Sequence, residues 1–287
     1  MKFFQRKATQ PDKPGSRVHK KPKRKIIKLS FTKRQKFITA VALLSTGLFV
    51  SGNTQLGNYA LHIALSLAVL TDIFLMWSVY RDVKENFTGS IFILPFFYSL
   101  ASGLFYFLIP ANLYFRLPAV FLYAFGLYSL FLSQNVFAVA TIRTIALLSG
   151  ARIVSFVITL LSYFFLADIT FSLKLPLLPV VSLVTIYTYL LVYQSIRSYT
   201  LQKSEYPSVV QWSIGVTLCL VESVVILWFW PSSPTIIALF LAGFFYTLTG
   251  LSHVWFERRL FKSVLWEYVW VGVVVFLVLI GFTSWGK

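Results

Sequence analysis

Two carboxylates, Asp72 and Glu222, lie inside long apolar runs. Asp72 falls about 4 Å from the middle of its run at the α-helical rise, and Glu222 sits at a similar depth in its own. An ionised side chain in hydrocarbon costs about 2.5–3.5 kcal/mol on insertion scales, so each needs a reason to be there. A carboxyl group withdrawn from water can take up and release protons near neutral pH, which makes the pair the candidate proton or cation site of this chain. The competing reading is that each is protonated or hydrogen-bonded to a neighbour and serves packing. Ala64, Ala68 and Asp72 fall on one helical face, as do Gln211, Gly215, Cys219 and Glu222. Small residues at that spacing let another helix approach, so both carboxylates are expected to face protein rather than lipid.

Arg143 and Arg152 are the possible charge partners, with lipid headgroups as the alternative contact. Similar stripes of small and hydroxyl residues (Arg152, Ser155, Thr159, Ser162; then Ser182, Thr185, Tyr189; then Gly243, Thr247, Gly250) read as interhelical packing. His62 and His253, the histidines outside the first 36 residues, fall near opposite ends of their runs with no supporting cluster, so neither a metal nor any other cofactor is expected. Cys219, the one cysteine, excludes a disulfide framework and reads as a small packing residue. The sequence contains no HExxH, no GxSxG, no phosphate-cradling glycine loop and no paired metal-binding aspartates. No catalytic residue is assigned.

What must position these groups is a membrane fold. Of 287 residues, 57% are hydrophobic and only 12% charged, about half the charged share of a soluble domain. A span needs about 20 mostly apolar residues, and nine runs qualify or nearly do: 37–52, 59–80, 89–109, 117–140, 152–173, 176–195, 209–230, 235–255 and 264–285. The expected fold is all-α, a polytopic transmembrane bundle of about nine spans. Prolines 110, 176, 231 and 234 fall at span ends, where a missing backbone donor costs little. Trp230, Trp266, Trp270 and Trp285 lie toward span ends, as interfacial rings do.

Fourteen of the 26 cations lie in residues 1–36. That stretch, rich in proline and poor in apolar residues, is expected to be a disordered cytoplasmic tail, with 37–287 a single transmembrane domain. It lacks the form of a cleavable signal peptide. With the tail inside, the alternating loops place nine cations on the cytoplasmic side and three outside (Arg116, Lys174, Lys287), the asymmetry of the positive-inside rule. The C-terminus is then outside, and a prokaryotic plasma membrane is the preferred location. The Asn86-Phe87-Thr88 sequon falls on the cytoplasmic side and should be silent. The tail's partners are expected to be anionic lipid headgroups or a protein; without interleaved aromatics, nucleic acid is not expected.

The stretch Ser133–Arg152 is apolar yet carries Gln134, Asn135, Arg143 and Arg152, which suggests the end of span four followed by a buried or re-entrant piece. Within it, NVFAVATIRTIALLSGARIV resembles uncharacterised bacterial multi-pass membrane proteins of unknown function. The resemblance implies the architecture and no activity.

Three functions remain. A non-catalytic membrane subunit or scaffold comes first, because it accounts for short loops without catalytic motifs. A carrier of a small solute or lipid, coupled to protons through Asp72 or Glu222, comes second. A membrane-embedded enzyme acting on lipid comes third.

Overall fold

In the computed structural model, residues 32–52, 59–83, 89–110, 112–140, 147–200 and 209–283 are described. Their apolar runs form nine α-helices: α1 (Lys33–Gly52), α2 (Ala60–Val83), α3 (Ser90–Leu108), α4 (Leu113–Ala140), α5 (Leu148–Ser172), α6 (Leu177–Thr200), α7 (Val209–Trp228), α8 (Pro234–Phe256) and α9 (Lys262–Gly281). All nine are long and apolar enough to cross a membrane. A helix suits hydrocarbon because it satisfies its own backbone polar groups. Each expected span coincides with one helix, and the ends shift by at most five residues.

One boundary corrects the expectation. Helix α1 starts at Lys33, so residues 33–36 are helical and not part of a disordered tail. The cause is local: the Thr32 amide donates to Gln35 Oε1 at 2.9 Å, the back-reaching half of a Thr-x-x-Gln capping box. Of the stretch Ser133–Arg152, Ser133–Ala140 completes α4 and Leu148–Arg152 opens α5, while residues 141–146, where the re-entrant piece was expected, lie outside the described residues. Arg143 and the Asn86 sequon lie outside the described residues.

Helix α5 is the axis of the bundle. It packs on α3 and α4 on one side and on α6 and α8 on the other, and it is the most buried of the nine. Helices α1–α4 pack among themselves, α7 lies on α6 and α8, and α9 lies on α8. Close approaches use small residues. Gly103 faces Ala64 between α3 and α2, Gly126 leaves room for the Tyr98 phenol, and Gly243 and Gly250 receive Val275 and Tyr268 of α9. The Gly243–Thr247–Gly250 stripe is therefore the α8–α9 interface, as its spacing suggested. Arg152, Ser155, Thr159 and Ser162 also face inward.

Ser182 and Thr185 do not. They are exposed on α6, their hydroxyls donating back to the Pro179 and Val181 carbonyls at 2.9 and 2.7 Å. A hydroxyl satisfied by its own helix needs no neighbour. Lys174 and Arg258 take left-handed backbone, with φ of 48° and 57°, just beyond α5 and α8. That conformation closes a helix end, usually at glycine.

Candidate functional site

The two carboxylates meet different surroundings. Asp72, at the middle of α2, is half-buried behind fully buried Ala64 and Ala68, and its Oδ1 is buried with no hydrogen-bond partner. One residue back, Thr71 Oγ1 shares a 2.7 Å hydrogen bond with Ser99 Oγ. Ser99 in turn meets the Tyr123 hydroxyl at 3.1 Å. This hydroxyl chain links α2, α3 and α4 at mid-depth. Tyr98 stacks on Tyr123 with centroids 5.8 Å apart and donates to the Leu122 and Tyr123 carbonyls at 3.1 and 3.2 Å.

Glu222 is placed otherwise: against the expectation, no other described helix of this chain covers its stripe. Gln211, Gly215, Cys219 and Glu222 are all exposed on the outer side of α7. An added Cβ at Gly215 would meet nothing within 4 Å. The inner side of α7 is a different stripe, Ser213, Val216, Thr217, Leu220, Val224 and Leu227, whose hydroxyls bond back to their own helix. Spacing alone could not separate the two faces, because both carry small or hydroxyl residues at helical intervals. Helix α2 packs on α1, α3 and α4, whereas α7 packs on α6 and α8, so the arrangement does not bring Asp72 and Glu222 together.

Arg152 finds its carboxylate outside the spans. Its Nη1 lies 3.4 Å from Glu257 Oε1, in the turn that closes α8. Its Nε and Nη2 donate to the Ser198 and Tyr199 carbonyls at the end of α6, at 3.1 and 3.4 Å. The guanidinium sits 4.8 Å above the Tyr199 ring. On the other face of this cluster His253 stacks on Tyr199, with centroids 3.9 Å apart, and its Nε2 shares a 3.0 Å hydrogen bond with Ser195 Oγ. His62 is exposed at the start of α2 beside Tyr59. The cluster clamps three helix ends. Ser195 and His253 are only 3% and 4% exposed and packed among rings, so this Ser–His pair reads as structural.

Other polar groups emerge only in three dimensions. Asp168 of α5 is 7% exposed, its Oδ1 unpartnered; an acid within the fifth apolar run was the available signal. Gln134, fully buried on α4, has neither amide atom paired. A cavity of about 40 Å³ opens between α1, α3, α4 and α5, and no periodicity announces it, since four helices contribute its wall. Among the described residues, no three His, Cys, Asp or Glu side chains come together as metal ligands.

No curated protein and no solved structure matches this chain. A family model does, the protein of unknown function DUF5656, over residues 40–282, from the second turn of α1 to the end of α9. The nine-helix membrane bundle with its outward-facing Glu222 thus belongs to the DUF5656 family, whose function is unknown.

Proposed function

We propose that this chain is a non-catalytic subunit of a membrane assembly, and that the outer face of α7 receives a transmembrane helix of its partner. The observation that carries this reading is Glu222, exposed about one turn from the middle of α7. A carboxylate facing hydrocarbon costs about 2.5–3.5 kcal/mol, a cost removed when a second helix covers it with a hydrogen-bond donor. Gly215, with open space before it, and Cys219 give that helix room to approach. The matching helix bears a cationic or amide side chain at the depth of Glu222. On this reading residues 1–32 stay in the cytoplasm of a prokaryotic cell, held near the plasma membrane by anionic headgroups at about 1 kcal/mol per cation close to the surface.

Native mass spectrometry of the gently extracted protein tests it. The wild type should carry one protein partner at fixed stoichiometry, and Glu222→Leu should release it while the chain stays folded. An unchanged assembly in Glu222→Leu would refute docking at α7.

A second reading rests on Asp72, whose buried Oδ1 has no partner at mid-membrane. There the chain is a carrier that exchanges a proton at this carboxyl group. Asp72→Asn should then abolish flux with folding intact, and normal flux would remove the reading.

A further inference from the structure

The cavity between α1, α3, α4 and α5 combines an apolar wall with a hydrogen-bond donor that nothing uses. Leu48, Phe105, Leu122 and Phe165 supply apolar surface, while Ser102 and Tyr106 line it with hydroxyls. Tyr106 is 2% exposed and its hydroxyl oxygen is buried without a hydrogen-bond partner, whereas Ser102, 8% exposed, lies within reach of the Tyr98 phenol. Beside them stands Arg116, its guanidinium carbon 5.6 Å from the Tyr106 ring centroid. Arg116 Nη1 donates to the Gly52 carbonyl at the end of α1. Its Nε, equally buried, donates to nothing, and no carboxylate pairs with it among the described residues.

Depth says what kind of group belongs there. Gly52 ends α1, Tyr106 is two residues from the end of α3, and Arg116 lies in the first turn of α4, so this charged end stands at the bilayer interface. Exposed Tyr59, Tyr114 and Phe115 ring the same end of the bundle, as interfacial aromatics do. Ser102 lies about 6 Å deeper than Tyr106 at helical rise. The cavity itself is lined by apolar and hydroxyl side chains; the cation stands next to its Tyr106 wall, at headgroup depth, and that pairing of Arg116 with a phenol suits an anion on an amphiphile. The cavity's volume, about 40 Å³, is several times the roughly 10–15 Å³ that one water needs, yet far short of a whole lipid.

We infer that one phosphate group binds between Arg116 Nε and the Tyr106 hydroxyl, beside the interfacial end of this cavity. A phosphodiester of a membrane lipid, with its acyl chains outside in the bilayer, is one source, and free phosphate is the other. The site is on the far side of the bundle from α7 in packing order and stands independently of the proposed partner.

Native mass spectrometry of the full chain released from phosphatidylglycerol nanodiscs, and of delipidated chain in millimolar inorganic phosphate, separates the sources. One retained phosphatidylglycerol per chain, falling about tenfold in Arg116→Gln and severalfold in Tyr106→Phe, is the expected result. A single inorganic phosphate adduct with the same sensitivity, and no lipid, would assign the site to soluble phosphate. Tyr106→Phe keeps the ring against Gly52 and removes only the hydroxyl, so it reports even where the arginine variant fails to fold. Equal retention in wild type and Tyr106→Phe, or no phosphate-bearing adduct at all, would overturn the inference and leave a cavity filled by water.

Discussion

Arg152 shows how one side chain can hold several helix ends in a membrane bundle. It caps the carbonyls of Ser198 and Tyr199 at the negative end of α6, covers the Tyr199 ring and reaches Glu257 in the turn after α8. These contacts differ in weight. Arg152→Ala strips the α6 carbonyls of their charged donor and should lower unfolding stability in detergent by about 2 kcal/mol. Glu257→Gln should cost under about 1 kcal/mol, because that pair is 16% and 33% exposed and water screens it. Equal losses in thermal or denaturant unfolding would mean that the ion pair, and not the capping, does the holding. The sequence marked Arg152 as a group needing a partner but not which one. Glu257 is 105 positions away, and it is presented only because α8 closes through left-handed Arg258. A contact made by two turns meeting in space leaves no period to read.

At the level of the helices, spacing was informative where glycines let two helices meet, and ambiguous for hydroxyl stripes, because hydroxyls bond back to their own helix both on inner faces, as at Thr159 and Ser162, and on outer ones, as at Ser182 and Thr185. Gly243 and Gly250 on α8 accept Val275 and Tyr268 so closely that a Cβ at either position would collide with the α9 side chain. Gly243→Ala and Gly250→Ala should each destabilise by about 1–3 kcal/mol, the range of an overpacked contact, and the double variant should loosen α9 first. Limited proteolysis before Lys262 checks this; unchanged cleavage would show that α9 is held by something else. The Ser182–Thr185 stripe looked the same on paper yet faces outward, where each hydroxyl is still satisfied one turn back. Lys174 offers a gain instead of a loss. It is exposed with φ of 48°, so Lys174→Gly should stabilise α5's end by about 0.5–1 kcal/mol in thermal unfolding. The Thr32-x-x-Gln35 capping box that starts α1 was legible in principle but was hidden by the cations around it.

For the whole molecule, nine spans follow from apolar run length, because a bilayer sets a fixed length and demands continuous helix. Side-by-side order does not follow, since lipid is as apolar as a neighbouring helix and many orders bury similar surfaces. That is why Asp72 turned out half-buried and Glu222 exposed, although both sat on stripes of small residues. The odd span count predicts that a reporter fused after Lys287 is active only outside the cell; cytoplasmic activity there would break the proposed orientation. The central claim, that another protein covers Glu222, is tested most directly by a photo-crosslinking side chain placed at Cys219 in native membranes. Ile186 on α6, 59% exposed, serves as a lipid-facing control. The account predicts one protein adduct of defined mass from position 219, lost when Glu222 is changed to Leu, and only lipid adducts from position 186. Lipid adducts alone from both positions would contradict it.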